Sequence, residues 1–284
     1  MHLPSATLLL ILLFRICSVT TVNISDSAIT TSADNSGGIQ TTGGGTTNAE
    51  NLTVSTSGNS SAAIRSDRGG GTVNVTGGTY TSNGYNSPAV YSTAAITVKD
   101  AVLTANNSEA LVIEGKNSIV LENCTVIGNM SSTQGASSDE NVHNVMIYQS
   151  MSGDADVGTS VFSMSGGSLT GRNGDLIYVT NTHCVLTLSG VTLVNEDADG
   201  YLLRVCGNPA SRGWGTAGSN GAQVEMTADG QTLSVNISDN AVITVESGST
   251  WNLTGNCTIT SLTNYGTVNC NGYTLTLADG TVLR

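Results

Sequence analysis

The stretch TVNVTGGTYT, from Thr72 to Thr81, contains the pattern from which most of the chain is built. Val73 and Val75 alternate with polar residues, as in a strand that buries one face. Two glycines follow, and Tyr80 then lies in a second short alternating segment. Because glycine accepts sharp bends and close backbone approach, the stretch predicts two short strands joined by a tight corner.

The same pattern recurs in TVNISDSAIT, AITVKDAVLT, SIVLENCTVI, VFSMSGGSLT and VLTLSGVTLV. The aligned stretches give apolar columns, with the third column mostly small. The columns are Val22, Val73, Ile96, Ile119, Phe162 and Leu186; Ile24, Val75, Val98, Leu121, Met164 and Leu188; Ser27, Gly78, Ala101, Cys124, Gly167 and Val191; and Ile29, Tyr80, Leu103, Val126, Leu169 and Leu193. A third apolar segment, such as SPAVY or GDLIYV, follows in each unit.

The repeat predicts a solenoid, because well-matched units recur about every 21 to 24 residues, the size of one coil. Three short strands per coil, without helical periodicity, predict an all-β fold: a single right-handed parallel β-helix of about nine coils. We place its main part at residues 22–232 and shorter coils of the same solenoid at 233–284. A β-sandwich is the alternative, but it does not explain why each column keeps one residue class.

The N-terminal residues 1–21 contain an apolar run, Ala6–Phe14. The run is too short to cross a bilayer as a helix, so we expect no transmembrane segment. No Lys or Arg precedes it and no A-x-A cleavage site follows. We therefore interpret 1–21 either as an atypical signal peptide or as a cap on the end of the solenoid.

Composition narrows the function classes. The net charge is -12 and only 11% of residues are charged, which argues against nucleic acid as a partner. A weakly charged surface rich in Ser, Thr and Asn suits a secreted or cell-surface protein. Six cysteines without a C-x-x-C pair argue against zinc. Cys124 falls in the small column and is predicted to be a buried, reduced thiol. For Cys257 and Cys270, both a disulfide and two free thiols are compatible with the sequence.

The coil phrases resemble those of bacterial adhesin-like surface proteins with a pectate-lyase-like parallel β-helix. The segment SGSTWNLTGNCTITSLTNYGTV resembles the end of autotransporter passenger domains. The resemblance implies an extracellular module that presents loops on a rigid rod and binds glycans or host-cell ligands. Such phrases specify architecture more than function, so two alternatives are kept. One is a polysaccharide lyase or glycoside hydrolase with this fold, and the other is a carbohydrate-binding module of a larger protein.

Acidic residues recur in the turn before the third strand of each unit. They are Asp34, Glu109, Asp139, Glu140, Asp175, Glu196, Asp197 and Asp199. We interpret this edge as solvated. Calcium is the one cofactor it suggests, although no calcium-loop motif is present. Asp197 and Asp199 are the candidate carboxylate pair if the chain is a glycosidase, but the sequence supports no catalytic assignment.

The best candidate for ligand contact is Trp214 with its neighbour Arg212, in SRGWGTAGSNG. An indole among glycines offers the flat apolar face on which sugars stack. Asp139 and Glu140, in the largest insertion of the acidic edge, are the second candidate. His143 and His183 are predicted to be surface residues.

Overall fold

The computed structural model describes residues 20–134, 141–150, 152–207, 221–234 and 236–284. The regular secondary structure in these ranges consists of strands alone. The chain winds through them as a parallel β-helix with three strands per coil. Nowhere in the described ranges does a helix have the length and hydropathy of a membrane span. The predicted fold class is confirmed.

Each coil contributes one strand to each of three faces. The first face contains β1 (Thr21–Ser25), β4 (Gly45–Glu50), β7 (Gly71–Thr76), β10 (Ala95–Lys99), β13 (Ser118–Glu122), β16 (Thr159–Ser165), β19 (His183–Ser189) and β22 (Gln223–Asp229). The second contains β2 (Ala28–Thr31), β5 (Thr53–Thr56), β8 (Thr79–Ser82), β11 (Val102–Ala105), β14 (Thr125–Gly128), β17 (Ser168–Gly171) and β20 (Thr192–Asn195), followed by β23 (Thr232–Ser234), β25 (Thr250–Asn252) and β27 (Thr267–Asn269). The third contains β3 (Ile39–Thr41), β6 (Ile64–Ser66), β9 (Val90–Ser92), β12 (Leu111–Glu114), β15 (His143–Tyr148), β18 (Asp175–Thr180), β21 (Leu203–Val205) and β28 (Leu275–Leu277).

The C-terminal coils are tighter. Strands β24 (Ile237–Val245) and β26 (Cys257–Asn264) run around a corner, so the first part of each belongs to the third face and the second part to the first face. This continuity joins the two faces into one 19-stranded sheet. The last strand, β29 (Val282–Leu283), pairs antiparallel with β28 and covers its edge.

The predicted apolar columns are confirmed by the strand register. Val73, Ile96 and Ile119 are directly paired in neighbouring coils of the first face, and the fourth column forms the ladder of the second face. One coil is absent from the aligned columns. The weaker repeat NLTVSTSGN, residues 51–59, predicts its second strand, and Thr47 and Ala49 of β4 take the inward positions of its first strand. Thr47 is tolerated inside because its hydroxyl lies 2.6 Å from that of Thr41, which satisfies both groups.

The corner between the first and second faces explains the Gly, Asn and Asp of the repeat. Its first residue has a left-handed backbone, as at Asn123 (φ 53°) and Gly166 (φ 62°), which these residue types tolerate best. The following position is the small column. A Cβ on Gly167 would lie 2.0 Å from the carbonyl oxygen of Cys124, so this coil has no room for a side chain at position 167.

Candidate functional site

The third face differs from the other two because its central strands are buried on both sides. Every residue of β12, β15 and β18 is buried. Their outward side chains include Val112, Met146 and Tyr178, which are paired across adjacent coils and form a second apolar cluster outside the solenoid core. In the sequence, the described residues 129–134 and 141–142 precede β15, and the segment 149–158 follows it.

A buried carboxylate, Glu114 at the end of β12, organises the polar part of this face. Tyr91 and Tyr148 donate hydrogen bonds to Oε2, the latter at 3.0 Å. Ser150 and Ser152 donate to Oε1, the latter at 3.3 Å. Both carboxylate oxygens thus accept hydrogen bonds from the chain itself. Glu114 therefore joins β9, β15 and the segment 149–158.

Burial and the nearby Glu114 carboxylate raise the pKa of Tyr91. The Tyr91 hydroxyl therefore keeps its proton at neutral pH and acts as a donor to Glu114. Tyr91 stands in β9 and Glu114 in the next coil, so their hydrogen bond also ties two coils together across the outer surface.

The segment 149–158 is attached at further points. The backbone N–H of Lys116 donates to the carbonyl of Asp156 at 2.8 Å. Arg68, from the corner after β6, forms an ion pair with Asp154. With the Glu114 network at its base, this insertion is fixed to the third face at both ends.

Two of the acidic-edge residues are buried, which corrects the prediction of a solvated edge. Glu109 is 0% exposed and Asp175 is 3% exposed. The Asp175 carboxylate accepts hydrogen bonds from Arg204 Nε at 2.5 Å and from the backbone N–H of Tyr201 at 2.9 Å. The Arg204 guanidinium also lies over the Tyr201 ring at 4.5 Å, so the charge of Asp175 is compensated within a compact structural unit.

The prediction that His143 is a surface residue is wrong. It begins β15, whose two sides are both covered, and its ring is fully buried against Tyr178 at a centroid distance of 5.1 Å. Its Nε2 lies 3.9 Å from Oε1 of Glu109. His183, at the start of β19, is partly exposed and lies 3.2 Å from Glu225, in agreement with its predicted surface position.

Asp197 and Asp199 lie in one turn before β21. One oxygen of Asp197 accepts the backbone N–H of Gly174 at 2.8 Å, and the other accepts that of Asp199 at 3.0 Å. Asp197 therefore shapes the turn before β21 and links it to the preceding coil, while the Asp199 side chain is exposed.

Four predicted contact residues lie outside the described residues: Arg212 and Trp214 in 208–220, and Asp139 and Glu140 in 135–140. The first range falls between β21 and β22, where the chain passes from the third face to the first. The segment 149–158 follows the same corner in an earlier coil. The second range falls between β14 and β15, at the other edge of the third face.

Metal and thiol chemistry are the last possibilities for this site. In the part of the chain that the structure describes, no group of three or more His, Cys, Asp or Glu side chains could hold a metal ion. Cys257 and Cys270 are separate free thiols, so no disulfide joins them. Cys124 is a buried thiol, as predicted, and burial raises its pKa. Burial also raises the pKa of Cys184 to about 12.

No family model, characterised protein or solved structure matches this chain. The functional inference therefore rests on the residues of the fold itself.

Proposed function

We propose that the chain is an extracellular, adhesin-like β-helix module that presents loops for glycan binding. The observation that carries this proposal is the Glu114 network. It uses a buried carboxylate and four hydroxyl groups to hold the segment 149–158 on the third face. A solenoid whose polar groups hold a surface insertion in place is suited to presenting that insertion to a ligand. A preorganised loop loses less conformational entropy when it binds.

The state of the acidic side chains favours binding over catalysis. A glycoside hydrolase needs two carboxyl groups that face a common cleft and stay available for proton transfer or nucleophilic attack. Glu114, Asp175 and Asp197 are each engaged by donors of the chain itself. These carboxylates stabilise turns and coils, which is the role that a non-catalytic module requires.

The glycan ligand is inferred from Trp214 and from the surface chemistry. An exposed indole stacks on a sugar ring, and the weakly charged, hydroxyl-rich outer rows supply further hydrogen-bonding groups. In the sequence, Trp214 falls between β21 and β22, and the segment 149–158 falls between β15 and β16, the equivalent pair of strands in an earlier coil. Glycan contact would use both insertions.

A glycan array tests the proposal with three proteins: the wild type, Trp214→Ala and Tyr265→Ala. Tyr265 is the matched control, because it is an aromatic residue that is 66% exposed in a C-terminal coil. We expect Trp214→Ala to weaken binding about five-fold or more, the scale of a lost aromatic contact of about 1 kcal/mol, with an unchanged melting temperature. Tyr265→Ala should bind like the wild type. Full binding by Trp214→Ala, or absence of glycan binding by the wild type, would contradict the proposal.

A further inference from the structure

The second face is interrupted between β20 and β23. Seven strands precede the interruption and three follow it, and no register joins the two sheets. The other faces continue past this point, since β19 pairs with β22 and β21 pairs with β24. The solenoid is therefore intact there but has a cleft on one face, with a volume of about 400 Å³, lined by Val191, Leu193 and Ser234 among others.

The side chain of Gln231 replaces the missing backbone bonds at one end of the cleft. In the preceding coil, the N–H of Thr192 donates directly to the carbonyl of Gly167 at 2.9 Å. Across the interruption, Gln231 Nε2 donates to the Val191 carbonyl at 2.7 Å, and Oε1 accepts the Val191 N–H at 2.8 Å. Nε2 also donates to the carbonyl of Thr232 at 2.9 Å.

A carboxamide and a peptide group present the same donor and acceptor. Gln231 thus bonds to the backbone of β20 on one side and to that of β23 on the other, as a peptide group of an inserted strand would.

Beyond Gln231 the two strand edges have no such bridge. Successive residues of a strand point their backbone N–H and C=O groups to opposite sides. Those of Thr192 point to the preceding coil, so those of Leu193 point into the cleft. On the other edge Gln231 accepts from Thr250 of the following coil, so Thr232 faces the cleft. Among the described residues, neither the Leu193 N–H nor the Thr232 N–H has a backbone partner across the cleft.

The floor of the cleft is Leu193, the fourth-column residue of its coil. Its counterparts Leu103 and Leu169 are fully buried, whereas Leu193 is only half-buried although it lies in the middle of the solenoid. The cleft therefore combines two strand edges with an apolar floor. Exposed carboxylates flank it, Asp229 before β23 and Glu196 after β20.

We propose that this cleft binds an extended peptide strand, with one apolar side chain on Leu193 and basic side chains near Asp229 and Glu196. An extended backbone satisfies both edges at once, which is the hydrogen-bonding pattern of β-augmentation. The acidic flanks favour a basic partner segment. This site is separate from the glycan surface of the third face, so either activity can exist without the other.

The probe is a fluorescein-labelled peptide, acetyl-Lys-Val-Thr-Val-Lys-amide, measured by fluorescence anisotropy with the full chain. Leu193→Trp fills the floor and should lower the affinity at least ten-fold. Thr192→Arg, at an exposed position on the rim, should weaken binding of the cationic peptide without affecting folding. A peptide with proline in place of threonine lacks the central N–H and should bind about five-fold more weakly, the scale of one or two hydrogen bonds.

Gln231→Ala gives the sharpest result, because it should have opposite effects on stability and binding. It lowers the melting temperature by leaving the Val191 backbone unpaired, yet it lengthens the cleft and should raise peptide affinity several-fold. Gln134→Ala is the matched control, since Gln134 is equally buried and bridges the backbones of Asn86 and Asn107 away from the cleft. It should lower the melting temperature and leave peptide affinity unchanged. Equal affinity of the wild type, Leu193→Trp and Thr192→Arg, or no peptide binding by Gln231→Ala, would overturn the proposal.

Discussion

Replacing Glu114 with leucine tests whether its carboxylate holds the third face together. Leucine fills a similar volume but accepts no hydrogen bond, so the hydroxyls of Tyr91, Tyr148 and Ser150 lose their acceptor. Tyr148 and Ser150 are buried, and a buried donor that loses its acceptor costs about 1 to 3 kcal/mol, with less for Ser150 because its hydroxyl also donates to Ser152. Part of this cost is offset because a charge no longer has to be buried. We expect Glu114→Leu to lower the free energy of unfolding by about 2 to 4 kcal/mol.

The assay is urea unfolding followed by circular dichroism, combined with limited proteolysis of the native protein. Glu114→Gln keeps the side-chain size and one acceptor oxygen, so it should be less damaging than Glu114→Leu. Proteolysis of Glu114→Leu should cut first within 149–158, because that segment loses its bonds through Ser150 and Ser152.

Glu122→Leu is the control. Glu122 lies on the first face, and its side chain is 48% exposed in an ion pair with Lys99 at 2.6 Å. Surface pairs contribute about 0 to 1 kcal/mol, so this variant should unfold almost like the wild type. If Glu114→Leu were no less stable than Glu122→Leu, and its 149–158 segment no more sensitive to protease, the anchoring role of Glu114 would be refuted.

Three further predictions concern the core, the corners and the thiols. Leu121→Asp places an unpaired charge in a fully inward column and should prevent folding, which a wild-type melting temperature would contradict. Gly167→Val should also destabilise strongly, whereas Gly190→Val, at a left-handed corner position with open space, should cost less; reversed melting temperatures would show that the corner stacking is wrong. Cys184 keeps its proton in the folded state up to about pH 12, while in the unfolded chain it ionises near pH 9. Its contribution to stability is complete below pH 9 and decreases by about 1.4 kcal/mol per pH unit above it, so Cys184→Ala should show a shallower alkaline loss in urea titrations at increasing pH.

The sequence predicted the core of this fold well, because each inward column repeats one residue class in every coil. Val73, Ile96 and Ile119 could be aligned without a structure, and their register is as predicted. The strand of Thr47 was not aligned because its inward residue is polar and is satisfied by a hydroxyl from another strand. Such a pairing depends on tertiary contact and leaves no signal in hydrophobic periodicity.

The third face was predicted less well. His143 and Asp175 were assigned to the surface because polar residues beside turns are usually exposed. A signal was present in HNVMIYQ and GDLIYV, which lack polar alternation and so indicate strands buried on both sides. The partners Ser150 and Ser152 of Glu114 could not be predicted, because they lie in the insertion 149–158, whose path the repeat does not determine.

Under the proposed function, the chain binds glycans without altering them. Incubating the wild-type protein with a glycan that it retains on the array, and analysing the recovered glycan by mass spectrometry, tests this. The recovered glycan is expected to have an unchanged mass. Shortened chains, with either new reducing ends or unsaturated uronate ends, would contradict it and would favour a hydrolase or a lyase.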